Sequence, residues 1–340
     1  MDNLPILPQT PAHMICLAAL PQNLGLLLVA ASAMGFYIAA RVAFDAIVDP
    51  DNPSSTRLAL AHWFPIALTA LVAVSLGQSV IGICIAFGTC VASLLLNLGL
   101  VTSTTGDTIG QTQSSRAWPL LIPAALLTFI AGFRANLTWI HGLILLLQGA
   151  MVLLLWKHDP DQDDPVTSAP APRLTVARWI RFILSLLIAS LAGYLAVYAT
   201  LRMNHEIPLT TPGLIAAVGL SPLLVLPMIG TGTVLAERGH ASAAAESLVA
   251  VTLLNLCLLL PLLLLAASAR SYYLKLDDLP EKIPFPIATW RVDAVLLIVM
   301  GALLTPIAQN RWRLGRPEGV ALVLAYAAYL GVTSILAVRW

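Results

Sequence analysis

Long apolar runs, broken only by short polar gaps, constrain this chain more than any other feature of its sequence. They fall at about 22–42, 60–76, 79–103, 118–133 and 137–156, then at about 177–201, 212–236, 241–268, 292–309 and 318–338. Each is near the roughly 20 residues that a helix needs to cross a bilayer. A water-facing surface could not be made from what remains. Apolar residues are 59% of the 340 and charged residues only 10%, against about a quarter in a soluble domain. The sequence therefore reads as all-α, a multi-pass integral membrane protein of about ten transmembrane helices with the lipid bilayer as its first partner. Unbroken apolar helices suit lipid because each pairs its own backbone polar groups.

Composition excludes several functions. A formal net charge of +1 gives no footprint for nucleic acid or another polyanion. Cys16, Cys84, Cys90 and Cys257 show no CxxC spacing, so they read as small buried hydrophobes and not as disulfides or metal ligands. There is no phosphate loop, zinc motif or placed Ser/His/Asp set, so neither an enzyme nor a cofactor is expected. The chain begins Met-Asp-Asn-Leu-Pro and has no Lys or Arg before Arg41. It thus lacks the basic n-region of a secretory signal, and the first span is expected to be retained. A bacterial inner (plasma) membrane is the expected location.

The runs divide five and five. Between them lies Lys157 to Arg173, with Asp159, Asp161, Asp163 and Asp164 followed by a Pro/Ala/Ser tract, a composition typical of a flexible linker. The expected organisation is a first five-helix repeat over 1–156, a polar linker over 157–176 and a second repeat over 177–340. The aspartates resemble an EF-hand loop, but Asp164 stands where Gly is needed and Pro170 where Glu is needed. With both termini outside, the inner loops hold 11 basic residues and the outer segments seven, which satisfies the positive-inside rule.

One offset aligns much of the two halves. Adding 162 carries Pro65 to Pro227, Thr69 to Thr231, Val72 to Val234 and Gly77 to Gly239. Both copies read Pro-x-x-x-Thr, then Gly twelve residues after the Pro, then another long apolar helix. Five helices separate the copies, an odd number, so the second is inverted in the membrane. Secondary transporters of this build hold their sites near the midplane, between the repeats.

The repeat resembles that of the calcium/cation antiporters, the sodium/calcium exchanger-like proteins. Theirs has the form Gly-Thr-Ser-x-Pro-Glu-Leu-x-x-Ser/Thr, a turn with Gly, then Gly-Asn-x-x-Gly-Ser-Asn-x-x-Asn. Here the first copy runs from Phe64-Pro65-Ile66-Ala67-Leu68-Thr69 through Gly77 to Gly82 and Gly88-Thr89. The second runs from Leu226-Pro227-Met228-Ile229-Gly230-Thr231 through Gly239 to Glu246-Ser247 and Asn255. Arg316-Pro317-Glu318-Gly319, with Leu322, Tyr326 and Tyr329, looks like the family's final helix, and His141-Gly142 matches Glu318-Gly319 in the other half.

The resemblance implies an exchanger fold and a central cation site. In the family, the Glu after each repeat's Pro supplies carboxylate, and those positions are Ile66 and Met228 here. Calcium wants six to eight oxygens with carboxylates among them. The Asn of the Gly-Asn motif becomes Ile85 in one copy and Ser247 in the other, and the Thr-Ser before the Pro becomes His62-Trp63 and Leu224-Val225. Thr69, Thr231 and Ser247 survive as hydroxyls, which do not make a calcium site.

Glu246 reads as the one acid inside a span, and an intramembrane carboxylate is a functional candidate by default. Its alternative is an interfacial position or a pairing with Arg238. His62, near Pro65, reads as a proton group or ion partner, or else as a structural hydrogen-bonded histidine. The candidate ion-binding residues are thus His62, Thr69, Thr231, Glu246 and Ser247. Pro65, Pro222 and Pro227 either break their helices to free carbonyls for an ion or merely kink them. Two functions stay open. One is a transporter for a monovalent cation, a proton or another solute. The other is a transport-inactive scaffold or subunit working with membrane protein partners.

Overall fold

The computed structural model describes residues 24–48, 54–105, 117–132, 136–157, 175–206, 211–274, 283–284, 287–309 and 312–339. The first half contains α1 (Leu24–Ile47), α2 (Ser55–Ser75), α3 (Ser79–Val91, a π turn over Ala92–Asn97, then Leu98–Thr105), α4 (Ala117–Ala131) and α5 (Trp139–Lys157). The second contains α6 (Val176–Glu206), α7 (Pro212–Ile215, a π turn over Ala216–Leu220, then Ser221–Glu237), α8 (Ala241–Leu254, a π turn over Asn255–Leu259, then Leu260–Leu274), α9 (Ile287–Ala308) and α10 (Arg316–Arg339). Nine of these are long and apolar enough to cross a membrane, and α4 is a shorter apolar helix. A two-residue pairing of β1 (Asn136–Leu137) with β2 (Ile283–Pro284) ties the α4–α5 loop to the α8–α9 loop. Most of the expected linker lies outside the described residues.

Burial separates the helices as their sequences require. The central helices α3 and α8 are the most enclosed, with no charge in α3. The outer helices α5, α6 and α10 show Leu147, Leu154, Leu187, Leu191, Leu324 and Ile335 on the surface. In lipid, such a face is the stable one.

The inverted repeat is visible in local geometry. Gly77 has φ +85° and Gly239 φ +83°, a left-handed conformation that glycine adopts without penalty, so both α2–α3 and α7–α8 turn tightly. The first residue of α3, Ser79, and that of α8, Ala241, are 162 apart. The α10 backbone meets α3 where a Cβ on Gly319 would crowd Gly99 O, Thr102 and Ser103. The α5 backbone meets α8 where a Cβ on Gly142 would touch Pro261 O, Leu264 and Leu265. Each partner in the second set is 162 residues after its counterpart in the first. The Cys90 Sγ faces Thr252 O at 3.8 Å, again residues 162 apart, so the pseudo-two-fold axis passes between them.

Proline placement decides between the two readings of these residues. Pro65 and Pro227 lie inside continuous α2 and α7 and do not end them. Pro222 enters at the start of a helical segment just after the π turn over Ala216–Leu220, where the missing N–H costs little. The π turns themselves carry no obvious local sequence signal.

A correction concerns the acidic residues. α9 begins at Ile287, five residues before the apolar run expected at 292. Asp293 therefore lies within a span, and it is 1% exposed. Glu246, in contrast, is half-buried and is not the one acid inside a span.

Candidate functional site

At the seam between α2 and α7 the two repeats meet through a histidine and a threonine. His62 stands on the buried face of α2, one turn before Pro65. Thr231 stands on α7, one turn after Pro227. Their side chains join, Thr231 Oγ1 to His62 Nε2 at 2.8 Å. Thr231 Oγ1 also lies 3.2 Å from each of Pro227 O and Met228 O. The carbonyl at Pro227 is a natural acceptor, because a threonine four residues on reaches back along its own helix. His62 is 3% exposed, and its Nδ1 finds no hydrogen-bond partner among the described residues.

The mirror position is different. Thr69 Oγ1 donates to Pro65 O at 2.7 Å, as Thr231 does to Pro227 O, but the residue that mirrors His62 is Leu224. Thr69 instead faces Gly193 of α6, where a Cβ would come within 2.9 Å of its hydroxyl. One half of the seam thus carries a titratable ring and the other carries a leucine.

Ile66, Ile85 and Met228, apolar residues at positions of the resemblance's lost ligands, are all buried. Ser93 Oγ lies 3.9 Å from Met228 Sδ, a weak contact. Two amides sit deeper in the bundle: Asn97 Nδ2 donates to Val225 O at 3.1 Å, and Asn255 Nδ2 to Thr89 Oγ1 at 3.0 Å. Their Oδ1 atoms have no hydrogen-bond partner among the described residues. Asn97 and Asn255 escaped notice in the sequence as site residues, although their position at the π turns marks them: π turns often occur at functional sites.

Of the five candidates, the structure joins His62 and Thr231. Thr69 and Ser247 are buried and bond to their own helices, Ser247 Oγ to Ala244 O at 2.7 Å. Glu246 lies one residue, about 100° round the helix, from Ser247. Cys84, Cys90 and Cys257 are buried in the interior, and Cys16 lies outside the described residues. No group of three or more His, Cys, Asp or Glu side chains suited to a metal ion occurs among the described residues.

Residues 178–335 match the family model described as sodium/calcium exchanger protein. No curated protein matches the sequence. The fold is similar to that of the H+/Ca2+ exchanger CAX, with a TM-score of 0.66 at 14% identity over 96% of this chain and 87% of that one. It is similar to native YfkE, with a TM-score of 0.64 at 13% identity over 91% of this chain and 89% of that one. It is also similar to the sodium-calcium exchanger NCX_Mj soaked with Na+ and Sr2+, with a TM-score of 0.55 at 18% identity over 91% and 96%.

Proposed function

We propose that this chain, which carries the sodium/calcium exchanger domain in its second half and the calcium/cation antiporter fold throughout, is a transporter for a singly charged cation. The cargo is a proton or a monovalent metal ion, bound at the α2–α7 seam. The observation that carries this reading is the bond between His62 Nε2 and Thr231 Oγ1, with buried Ile66, Ile85 and Met228 at positions where the resemblance implies ligands. A divalent ion would have to shed its water among neutral hydroxyls and apolar side chains, with none of the carboxylates that calcium requires. A singly charged ion loses far less on dehydration. An imidazole can bind and release a proton, which the neighbouring hydroxyls cannot.

His62 takes the coupling role in this reading. Thr69, Thr231 and Ser247 supply hydroxyl oxygens as their helices rock against one another, and Glu246 supplies the nearest charge on α8. The two five-helix repeats, 1–156 and 177–340, are the moving units, joined by a cytoplasmic linker over 157–176 with both termini outside. The membrane is a bacterial inner membrane.

The competing reading, a transport-inactive subunit, draws support from the same buried Ile66 and Met228. A pH-sensing dye inside proteoliposomes separates the two. An imposed sodium or potassium gradient should move protons across vesicles holding the purified protein. His62→Leu should abolish that response. Vesicles with and without protein that respond identically would favour the inactive subunit.

A further inference from the structure

Asp293 lies away from the α2–α7 seam, on the face of α9 that also buries Trp290, Ala294, Leu297 and Met300. Its helix packs against α3, α4 and α10. It is 1% exposed, and its Oδ1 has no hydrogen-bond partner among the described residues. Across from it, α10 presents Tyr326, Tyr329 and Thr333 on one stripe, each also nearly fully buried. The Asp293 carboxyl and the Tyr329 hydroxyl face each other, and Tyr326 stands close by. The two phenol rings stack with centroids 5.9 Å apart. The hydroxyls of Tyr326, Tyr329 and Thr333 also lack partners that meet hydrogen-bond geometry. One carboxyl and three hydroxyls from two helices therefore converge on one interior spot, with Tyr329 between Asp293 and Thr333.

That convergence needs a reason, because an unpaired buried polar group is costly and a buried charge more so. Among the described residues, the groups around Asp293 offer no counter-charge. α4 has no titratable residue over Ala117–Ala131. α3 contributes Cys90, a thiol. α10 contributes the two phenols. Arg291 on α9 and Arg316 on α10 are exposed. A lone carboxylate flanked by three neutral hydroxyl oxygens supplies one negative charge and five oxygen atoms, which suits one positive charge and not two.

We infer that Asp293, Tyr326, Tyr329 and Thr333 form a second site, separate from the α2–α7 seam, that holds one singly charged cation, either a proton or an alkali ion. When an alkali ion enters, the O–H bond of the protonated carboxyl breaks, the proton leaves to water and the ion takes over the charge. When a proton holds the site, Asp293 is a neutral acid and can donate its O–H to a neighbouring hydroxyl. The site stands whether or not His62 couples transport, since none of its residues belongs to that seam.

Infrared difference spectroscopy of the full-length protein in lipid reads it directly. The wild type should show a carboxylic-acid C=O band at low pH that is missing in Asp293→Asn. Adding NaCl or KCl at fixed pH should convert that band to carboxylate if an alkali ion binds, whereas only raising the pH should convert it if the site takes protons alone. Tyr329→Phe keeps the packed ring and removes one hydroxyl. It should shift the midpoint of the band by about one pH unit, the size of one lost hydrogen bond to a charged group. Two results would overturn the inference. One is identical spectra for wild type and Asp293→Asn at every pH and salt. The other, if Asp293→Asn does not fold, is an unmoved midpoint in Tyr329→Phe.

Discussion

His62 and Thr231 are hydrogen-bonded at 2.8 Å across the interface of the two repeats, while their mirror partners, Leu224 and Thr69, form no such pair. A fold with near two-fold symmetry has thus placed this polar contact on one side of the α2–α7 seam only. If both halves of the seam served packing alone, leucine would do at both positions.

The substitution that restores symmetry tests this. His62→Leu leaves Thr231 able to bond Pro227 O and Met228 O, as Thr69 bonds Pro65 O. The loss is one neutral hydrogen bond, about 1 kcal/mol, partly offset because a buried His62 Nδ1 no longer lacks a partner. Thermal unfolding in detergent should therefore shift by only a few degrees. Any dependence of cation flux on pH between the acid and neutral ranges should vanish.

The two turn glycines separate backbone strain from crowding. Alanine at Gly77 or Gly239 must adopt φ above +80°, at a cost of about 1–2 kcal/mol. At Gly239 nothing lies within 4 Å of the added Cβ, whereas at Gly77 it would come within 2.9 Å of the Arg270 guanidinium. Arg270 Nε donates to Ser75 O at 3.1 Å, so moving it disturbs the clasp between α8 and the α2–α3 turn. Gly77→Ala should be the more destabilising of the two, and Gly239→Asn should be milder than Gly239→Ala. Melting temperatures of the four proteins, wild type included, check both orderings.

The inverted arrangement makes a claim about the membrane. An inverted repeat predicts the α2–α3 and α7–α8 turns at opposite faces, and the excess of basic residues predicts the second on the inside. Single cysteines at the exposed Ser75 and Arg238 should react with an impermeant maleimide from opposite sides of sealed vesicles, Arg238→Cys from the cytoplasmic side. Reaction of both from one side would overturn the topology.

Much of this fold was legible in the sequence because lipid imposes a coarse rule, and long apolar runs satisfy it visibly. The five-plus-five division, the hairpin glycines and the 162-residue offset followed from that rule and from backbone chemistry. Asp293 was not legible for the same reason. Arg291 and Asp293 interrupt the hydropathy that marks a span, so the helix seemed to begin at Val292. Only the packing of α9 on α10 shows that this carboxyl faces protein. The π turns rest on tertiary packing and leave no local pattern. At the site, His62 and Thr231 could each be singled out, but the offset aligns Thr231 with Thr69, not with His62. Their pairing runs across the symmetry axis, which a one-dimensional comparison of the halves does not reveal.

The interface glycines extend the test of symmetry. Alanine at Gly319 would collide with Thr102 and Gly99 O, whereas alanine at Gly142 meets looser neighbours at 3.1 to 3.3 Å. Gly319→Ala should destabilise the protein by several times as much as Gly142→Ala, measured as loss of monodisperse protein after heating in detergent. Equal effects would mean that α10 does not approach α3 as closely as described.

Calcium flux into sodium-loaded proteoliposomes tests the central claim, an exchanger fold whose seam serves a singly charged cation, most directly. Ile66 and Met228 occupy the positions where the resemblance implies carboxylates, and removing two negative charges from a low-dielectric site takes away several kcal/mol of attraction for a divalent ion. No sodium-dependent calcium uptake above protein-free vesicles is expected, while the same vesicles should acidify or alkalinise in response to a monovalent gradient. Calcium uptake that follows the sodium gradient and persists in Glu246→Gln would contradict that claim.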